Sequence, residues 1–228
     1  MNKMNETIIN AVGKTYLSEV MEDLPNNVML NKVTTGCGMT SVALSNSVKY
    51  VVAMPYVTLI MNKEKWCEEQ GVNVLAVYGG KVSNSDIINF EGDKIMVTYD
   101  SLPLVTSALE SRGEISEWKI LIDECHLIIK SASYRYNAVK GLLKNYSKYG
   151  SFVFGSATPT AQEDQIPQLK DIPRVRIDWG ELEEIKVNYT VCNKDFASIV
   201  ATVALKHLNG ESEGNAHIFI NSVKVISK

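Results

Sequence analysis

The chain has 228 residues, 45% of them hydrophobic and 21% charged, which is enough apolar material for one good core or one and a half domains. Its 23 Lys and Arg stand against 26 Asp and Glu, a net charge of -3 that excludes a bulk polyanion binder, so any contact with nucleic acid must be local. No apolar stretch reaches the roughly 20 residues that span a bilayer, the N-terminus lacks a secretion-signal pattern, and Cys37, Cys67, Cys125 and Cys192 have no zinc spacing, which points to a reduced, cytoplasmic setting without membrane insertion.

Met4, Ile8, Ile9, Val12, Leu17, Val20 and Met21 recur at helical spacing and predict an amphipathic helix ending near Leu24-Pro25. Short apolar runs follow at 28–33, 50–55, 73–78, 94–98, 119–123 and 151–155. They lack the polar alternation of a half-exposed sheet, as strands covered on both faces do. Helical stretches at 57–70, 101–111 and 132–148 lie between them. The alternation predicts an α/β fold, a doubly wound and mostly parallel sheet with right-handed crossovers. Near 180–186 the composition turns acidic, at Gly180-Glu181-Leu182-Glu183-Glu184, and a strand (187–192), a helix (195–208) and a strand (216–220) follow. Roughly 40 residues cannot build a core of their own. The expected organisation is one domain over 1–182, with 183–228 either packed on it or, the better reading, beginning a second domain.

Two segments carry chemistry. Between the run at 28–33 and a following helix lies Thr35-Gly36-Cys37-Gly38-Met39-Thr40, followed by Ser41. Backbone N–H groups in such a strand-to-helix loop can hold a phosphate, Gly36 and Gly38 allow the anion close, and Thr40 has a hydroxyl placed for Mg²⁺. Met39 has neither charge nor donor. Lys32, at the end of the preceding strand, either stands in water as a strand-end lysine or uses its long stem to fold over the loop and bring a cation to a bound phosphate. The second segment is Asp123-Glu124-Cys125-His126, which closes the apolar run Ile120-Leu121-Ile122. Adjacent acids at the end of a buried strand are costly without a metal or a polar partner. Downstream, Ser156-Ala157-Thr158 closes the next run and Pro159 stops it.

Taken in order, the loop, the Asp-Glu-Cys-His box and Ser-Ala-Thr resemble the first half of a superfamily 2 DEAD/DEAH-like helicase motor, a RecA-like P-loop domain. The loop itself looks like a variant found in helicase-like proteins of phages and mobile elements of gut bacteria. The resemblance implies an ATP-binding, nucleic-acid-dependent ATPase with Mg²⁺. Asp123 and Thr40 would hold the metal, Glu124 would orient the attacking water, and residues 35–41 with Lys32 would hold phosphate. His126, Ser156 and Thr158 would link nucleotide state to the nucleic-acid face. It also implies backbone contacts to DNA or RNA from Pro55 and Tyr56 after the second strand, and from Thr98 and Ser101 after the strand at 94–98.

The chain departs from that pattern at three places. Met39 stands where the family has its phosphate-binding lysine, no glutamine precedes Gln70 to read adenine, and no arginine follows Arg176, although the family's second domain contributes arginines to the transition state. Ile218-Phe219-Ile220-Asn221-Ser222 looks like the opening strand of that second domain. A degenerate motor that binds nucleic acid or a partner without turnover is the alternative that Met39 favours. A P-loop kinase or small nucleotide switch fits the loop and the strand acid but leaves Ser-Ala-Thr unexplained. Lys140, Lys144 and Lys148 share a helix face and read as its solvated side. Cys37 and Cys125 read as small buried thiols.

Overall fold

The structure is a computed structural model that describes residues 6–131, 135–181 and 196–210. Its compact units are Met1–Leu182 and Glu183–Lys228. In the first unit eight strands form one sheet: β1 (Thr7–Asn10), β2 (Val28–Asn31), β3 (Tyr50–Met54), β4 (Leu75–Val77), β5 (Lys94–Thr98), β6 (Lys119–Asp123), β7 (Ser151–Ser156) and β8 (Arg174–Asp178). Their order is β1-β8-β2-β7-β6-β3-β5-β4, and every pair is parallel. Among the described residues six helices connect or flank them: α1 (Met39–Ser45), α2 (Val57–Gln70), α3 (Asn84–Ile88), α4 (Leu102–Ser111), α5 (Leu127–Ser131) and α6 (Tyr136–Asn145). The second unit contains α7 (Phe196–Leu208).

The expected parallel α/β sheet is present, and its composition explains it. β3, β5 and β6 are buried at every position, and their Val, Ile and Met side chains alternate between two cores. Val51, Ala53, Ile95, Val97, Ile120 and Ile122 face a core completed by α4 and α6. Tyr50, Val52, Met54, Met96 and Leu121 face another, completed by α1 and α2. Helices on both faces are what a continuous apolar strand requires. Gly71, with φ 68°, ends α2 in the left-handed turn that glycine adopts without strain, its N–H donating back to the carbonyl of Cys67.

Two expectations change. The predicted N-terminal helix is instead the edge strand β1 followed by a single 3-10 turn at Leu17–Glu19. Pairing of Thr7–Asn10 with Val175–Asp178 recruits the segment to the sheet, overriding its helical spacing. β8 itself carries no apolar run, since its exposure alternates along an outer strand. The helix placed at 132–148 begins at Tyr136 and ends as α6 at Asn145, with a 3-10 turn over Tyr146–Lys148. In that stretch Lys148 pairs with Glu110 at 2.8 Å and the Lys140 ammonium lies 5.5 Å above the Tyr136 ring, so the lysine face is occupied locally. The strands placed at 187–192 and 216–220 lie outside the described residues. Among the described residues no helix is long and apolar enough to cross a membrane.

Candidate nucleotide site

The sheet order makes β2, β7 and β6 neighbours, with Asn31 level with Ser156 and Gly155 level with Asp123. Their C-terminal ends therefore bring Lys32, Ser156 and Asp123 to one edge of the sheet, where ligands of open α/β sheets bind. The Lys32 N–H donates to Ser156 O at 2.9 Å, and the Trp179 indole donates to Lys32 O at 2.8 Å. These bonds fix the strand end from both sides. Beyond it the loop turns through left-handed backbone at Gly36 (φ 73°) and Gly38 (φ 84°).

Of the three described residues with side chains that share that conformation, Asn27 precedes β2 and the other two, Val33 (φ 62°) and Glu124 (φ 54°), stand at this edge. A left-handed conformation costs a residue with a Cβ roughly 1–2 kcal/mol, and such strain gathers where the surrounding structure holds a functional geometry. The Asn31 side chain offsets part of it by accepting from the Val33 N–H at 3.0 Å.

Lys32 lies buried among acids, with Nζ 3.1 Å from Glu124 Oε1 and 3.6 Å from Asp123 Oδ1. Burial works against its charge, but Asp123 and Glu124 outweigh it and hold the ammonium above the ordinary lysine range. The Asp123 carboxylate accepts from Thr40 Oγ1 at 3.0 Å through one oxygen and from the Glu124 N–H at 2.9 Å through the other. Burial, with Glu124 beside it, nevertheless raises Asp123 above the usual carboxylate value despite Lys32.

Within the loop, Met39 serves the core. The side chain is only 2% exposed and belongs to the core that also holds Val42 of α1 and Leu121 and Val153 of the sheet. A Cβ placed on Gly155 would lie 2.4 Å from Met39 Cε, so the missing side chain in β7 makes room for the thioether. Position 39 belongs to the core, and the cation that pairs with Asp123 and Glu124 comes from Lys32, just past the end of β2.

His126 Nδ1 lies 2.9 Å from Ser156 Oγ and 3.3 Å from Glu124 Oε2, and the Thr158 N–H donates to the same Ser156 hydroxyl at 3.0 Å. The expected His126–Ser156–Thr158 link is thus drawn together, through the backbone of Thr158. Burial lowers the His126 pKa below the ordinary value despite Glu124. Cys37 and Cys125 are both buried, Cys125 with its pKa pushed up to about 12 by burial, consistent with inert thiols.

A cleft of about 620 Å³ opens at this edge, and His126, Ser156 and Thr158 stand outside its lining. Gly36 to Ser41, Lys32, Asp123 and Glu124 reach it, and Thr35 lies outside its lining. Sequence reasoning missed part of the wall: Tyr16 and Ser18 from the turn before β2, and Leu59, Asn62, Lys63 and Trp66 from one face of α2. The spacing of the last four, i, i+3, i+4 and i+7, was the available signal.

Among the described residues no three His, Cys, Asp or Glu side chains gather as a metal cage. Mg²⁺ needs none, because it is held by one or two carboxylates and hydroxyls together with water and phosphate. A buried carboxylate bonded to a hydroxyl, as in Asp123–Thr40, is a donor pair that fits it.

Pro55, Tyr56, Thr98 and Ser101 meet at a second cleft of about 510 Å³, joined by Gly79, Gly80, Asp100 and Arg135. Thr98 is buried and donates its hydroxyl to Ser101 Oγ at 3.1 Å, whereas Tyr56 is 45% exposed. Arg135, which no sequence pattern singled out, donates to Pro55 O at 2.7 Å and pairs with Asp100, its guanidinium 5.9 Å from the Tyr56 ring.

No protein-family profile matches the chain, and no curated protein matches it. Solved structures similar to it include two of archaeal helicases. One is a hypothetical ATP-dependent RNA helicase from Sulfolobus tokodaii, 21% identical, covering 66% of this chain and 48% of that one with a TM-score of 0.45. The other is the Hef helicase domain of Pyrococcus furiosus, 16% identical, covering 68% and 36% with a TM-score of 0.47. The chain therefore spans about half or less of the length of these structures.

Proposed function

We propose that residues 1–182 are the ATP-binding half of a superfamily 2 motor, a RecA-like helicase or nucleic-acid-dependent ATPase, in which Lys32 supplies the cation that the loop lacks. The observation that carries the proposal is the Lys32–Asp123–Glu124 cluster with Thr40 at the mouth of a glycine-bearing loop. Two segments far apart in sequence meet there, which supports the roles the resemblance assigns. Asp123 and Thr40 would hold Mg²⁺, which when bound offsets charge on the phosphoryl oxygens. The loop N–H groups of residues 36–41 cradle phosphate. Glu124, held in a strained backbone and partly exposed to the cleft, orients the attacking water and accepts its proton. Lys32 neutralises the carboxylates in the empty site and the outer phosphates in the filled one. His126 and Ser156 tie Glu124 to β7 and so to the nucleic-acid face.

At that face, the donors around the second cleft hold the backbone of DNA or RNA, with Ser101, Tyr56 and Arg135 as contacts. No arginine follows Arg176, so the arginines that the family draws from its second domain would come from a longer form that continues the domain begun at 183–228, or from another chain. The burial of Met39 gives a non-hydrolysing scaffold as the second reading.

The test is Mg²⁺-ATP hydrolysis with and without single-stranded DNA or RNA, comparing the protein with Glu124→Gln. Stimulated turnover that falls by about 10² or more in the variant, with ATP binding retained, is the expected result. Nucleic-acid binding with background turnover in both proteins contradicts the motor and leaves the scaffold.

A further inference from the structure

We propose that Lys63, on α2 and outside every loop of the site, is a phosphate-binding residue that meets the inner phosphates of the nucleotide. The inference rests on the nucleotide-site reading above and adds to it a second cation that neither motif contains.

Of the two ammonium groups lining the 620 Å³ cleft, Lys32 is engaged by Glu124 and Asp123. Lys63 is not. Its Nζ donates to Ser41 Oγ at 2.9 Å and lies 4.6 Å above the Trp66 ring, and no carboxylate pairs with it among the described residues. A half-buried ammonium whose partners are a hydroxyl and a ring face retains donors and charge that an anion in the cleft would meet. Burial lowers its pKa, with Asp123 and Cys67 opposing only in part, and a phosphate beside it would remove that penalty.

The position is built from two elements. Lys63 and Trp66 lie one turn apart on the cleft face of α2, so the ring supports the lysine stem and aims it across to α1. There it meets Ser41, the residue next to Thr40. Thr40 turns to Asp123 and the place of the metal, whereas Ser41 turns to Lys63. The two lysines therefore serve different ends of the phosphate chain: Lys32 stands with the carboxylates at the reacting end, and Lys63 stands at the end that ADP shares with ATP.

Isothermal titration calorimetry of the whole 228-residue chain with ADP and with Mg²⁺-ATP tests this, on the wild type, Lys63→Met, Lys63→Arg and Lys32→Ala. Lys63→Met keeps the apolar stem over Trp66 and removes only the charge. It is expected to weaken ADP and ATP alike by about tenfold to a hundredfold, with Lys63→Arg within a few-fold of wild type. If Lys63→Met binds ADP as the wild type does while Lys32→Ala weakens ATP, Lys63 has no such role and the nucleotide site stands. A loss confined to ATP also overturns the assignment, because it places the ammonium at the outer phosphate. If the wild type binds neither nucleotide, the nucleotide-site reading fails and this inference fails with it.

Discussion

Replacing Lys32 by Met removes the ammonium and keeps most of its apolar stem, so the effect isolates charge. Asp123 would then be buried with Glu124 beside it and no cation. Breaking a buried pair from one side costs about 3–5 kcal/mol. Here a ceiling applies, because the carboxyl can take up a proton. From an unfolded value near 3.9, keeping that proton at pH 7 costs about 1.4 kcal/mol for each of roughly 3 pH units, or about 4 kcal/mol. At pH 5 the same ceiling is about 1.5 kcal/mol. The sign follows from proton counts: the variant's Asp123 has a folded pKa raised above its unfolded value, so the folded state binds more protons and stability falls as pH rises. Glu124, whose side chain is 27% exposed, stays hydrated and adds less. Urea unfolding of both proteins at pH 7 and pH 5 measures the difference. Lys32→Met should lose about 3–4 kcal/mol at pH 7 and less than half of that at pH 5. An equal loss at both pH values, or none at pH 7, would show that Lys32 does not hold the carboxylates.

Gly155→Ala should destabilise the fold by about 1–3 kcal/mol, because its Cβ displaces the Met39 thioether. Adding Met39→Ala should recover part of that loss, and strictly additive urea midpoints for the two changes would refute the contact. Followed by proton NMR, the His126 ring should titrate below the ordinary histidine range, since burial disfavours its charged form. His126's stabilising contribution is therefore present above the unfolded value and fades as pH falls through it, and a titration at or above that value contradicts the burial argument. At the second cleft, Arg135→Ala should weaken single-stranded nucleic acid about tenfold and lower the salt slope by about one, whereas Asp100→Asn should strengthen binding by releasing the guanidinium. Unchanged affinity in both variants, read by fluorescence anisotropy, would remove Arg135 from that surface.

The inner sheet was legible because β3, β5 and β6 are buried at every position, which leaves an uninterrupted apolar run in the sequence. The outer strands were not. In β1, Ile8 points to solvent at 61% exposure while Ile9 is half-buried, and four such residues embedded in a longer helical spacing have no signature apart from their partner β8. At the site the motifs were readable through their order along the chain, and the stem length of Lys32 allowed the reach to the carboxylates that is observed. What the order could not reveal is proximity created by topology. Lys63 lies 22 residues from Ser41, and Arg135 lies 80 from Pro55; each pair is joined only once the sheet is wound. Gly155 belongs to the same class, since an isolated strand glycine signals close approach without naming Met39 as what approaches.

If the strand-end Lys32 supplies the cation that the loop lacks, nucleic-acid-stimulated Mg²⁺-ATP turnover must depend on it, which is read in the wild type, Lys32→Arg and Lys32→Ala with ATP affinity measured alongside. Stimulated turnover in the wild type that falls by about ten- to a hundredfold or more in Lys32→Ala, and partly returns in Lys32→Arg, is the predicted result. Turnover in Lys32→Ala equal to that of the wild type would contradict it.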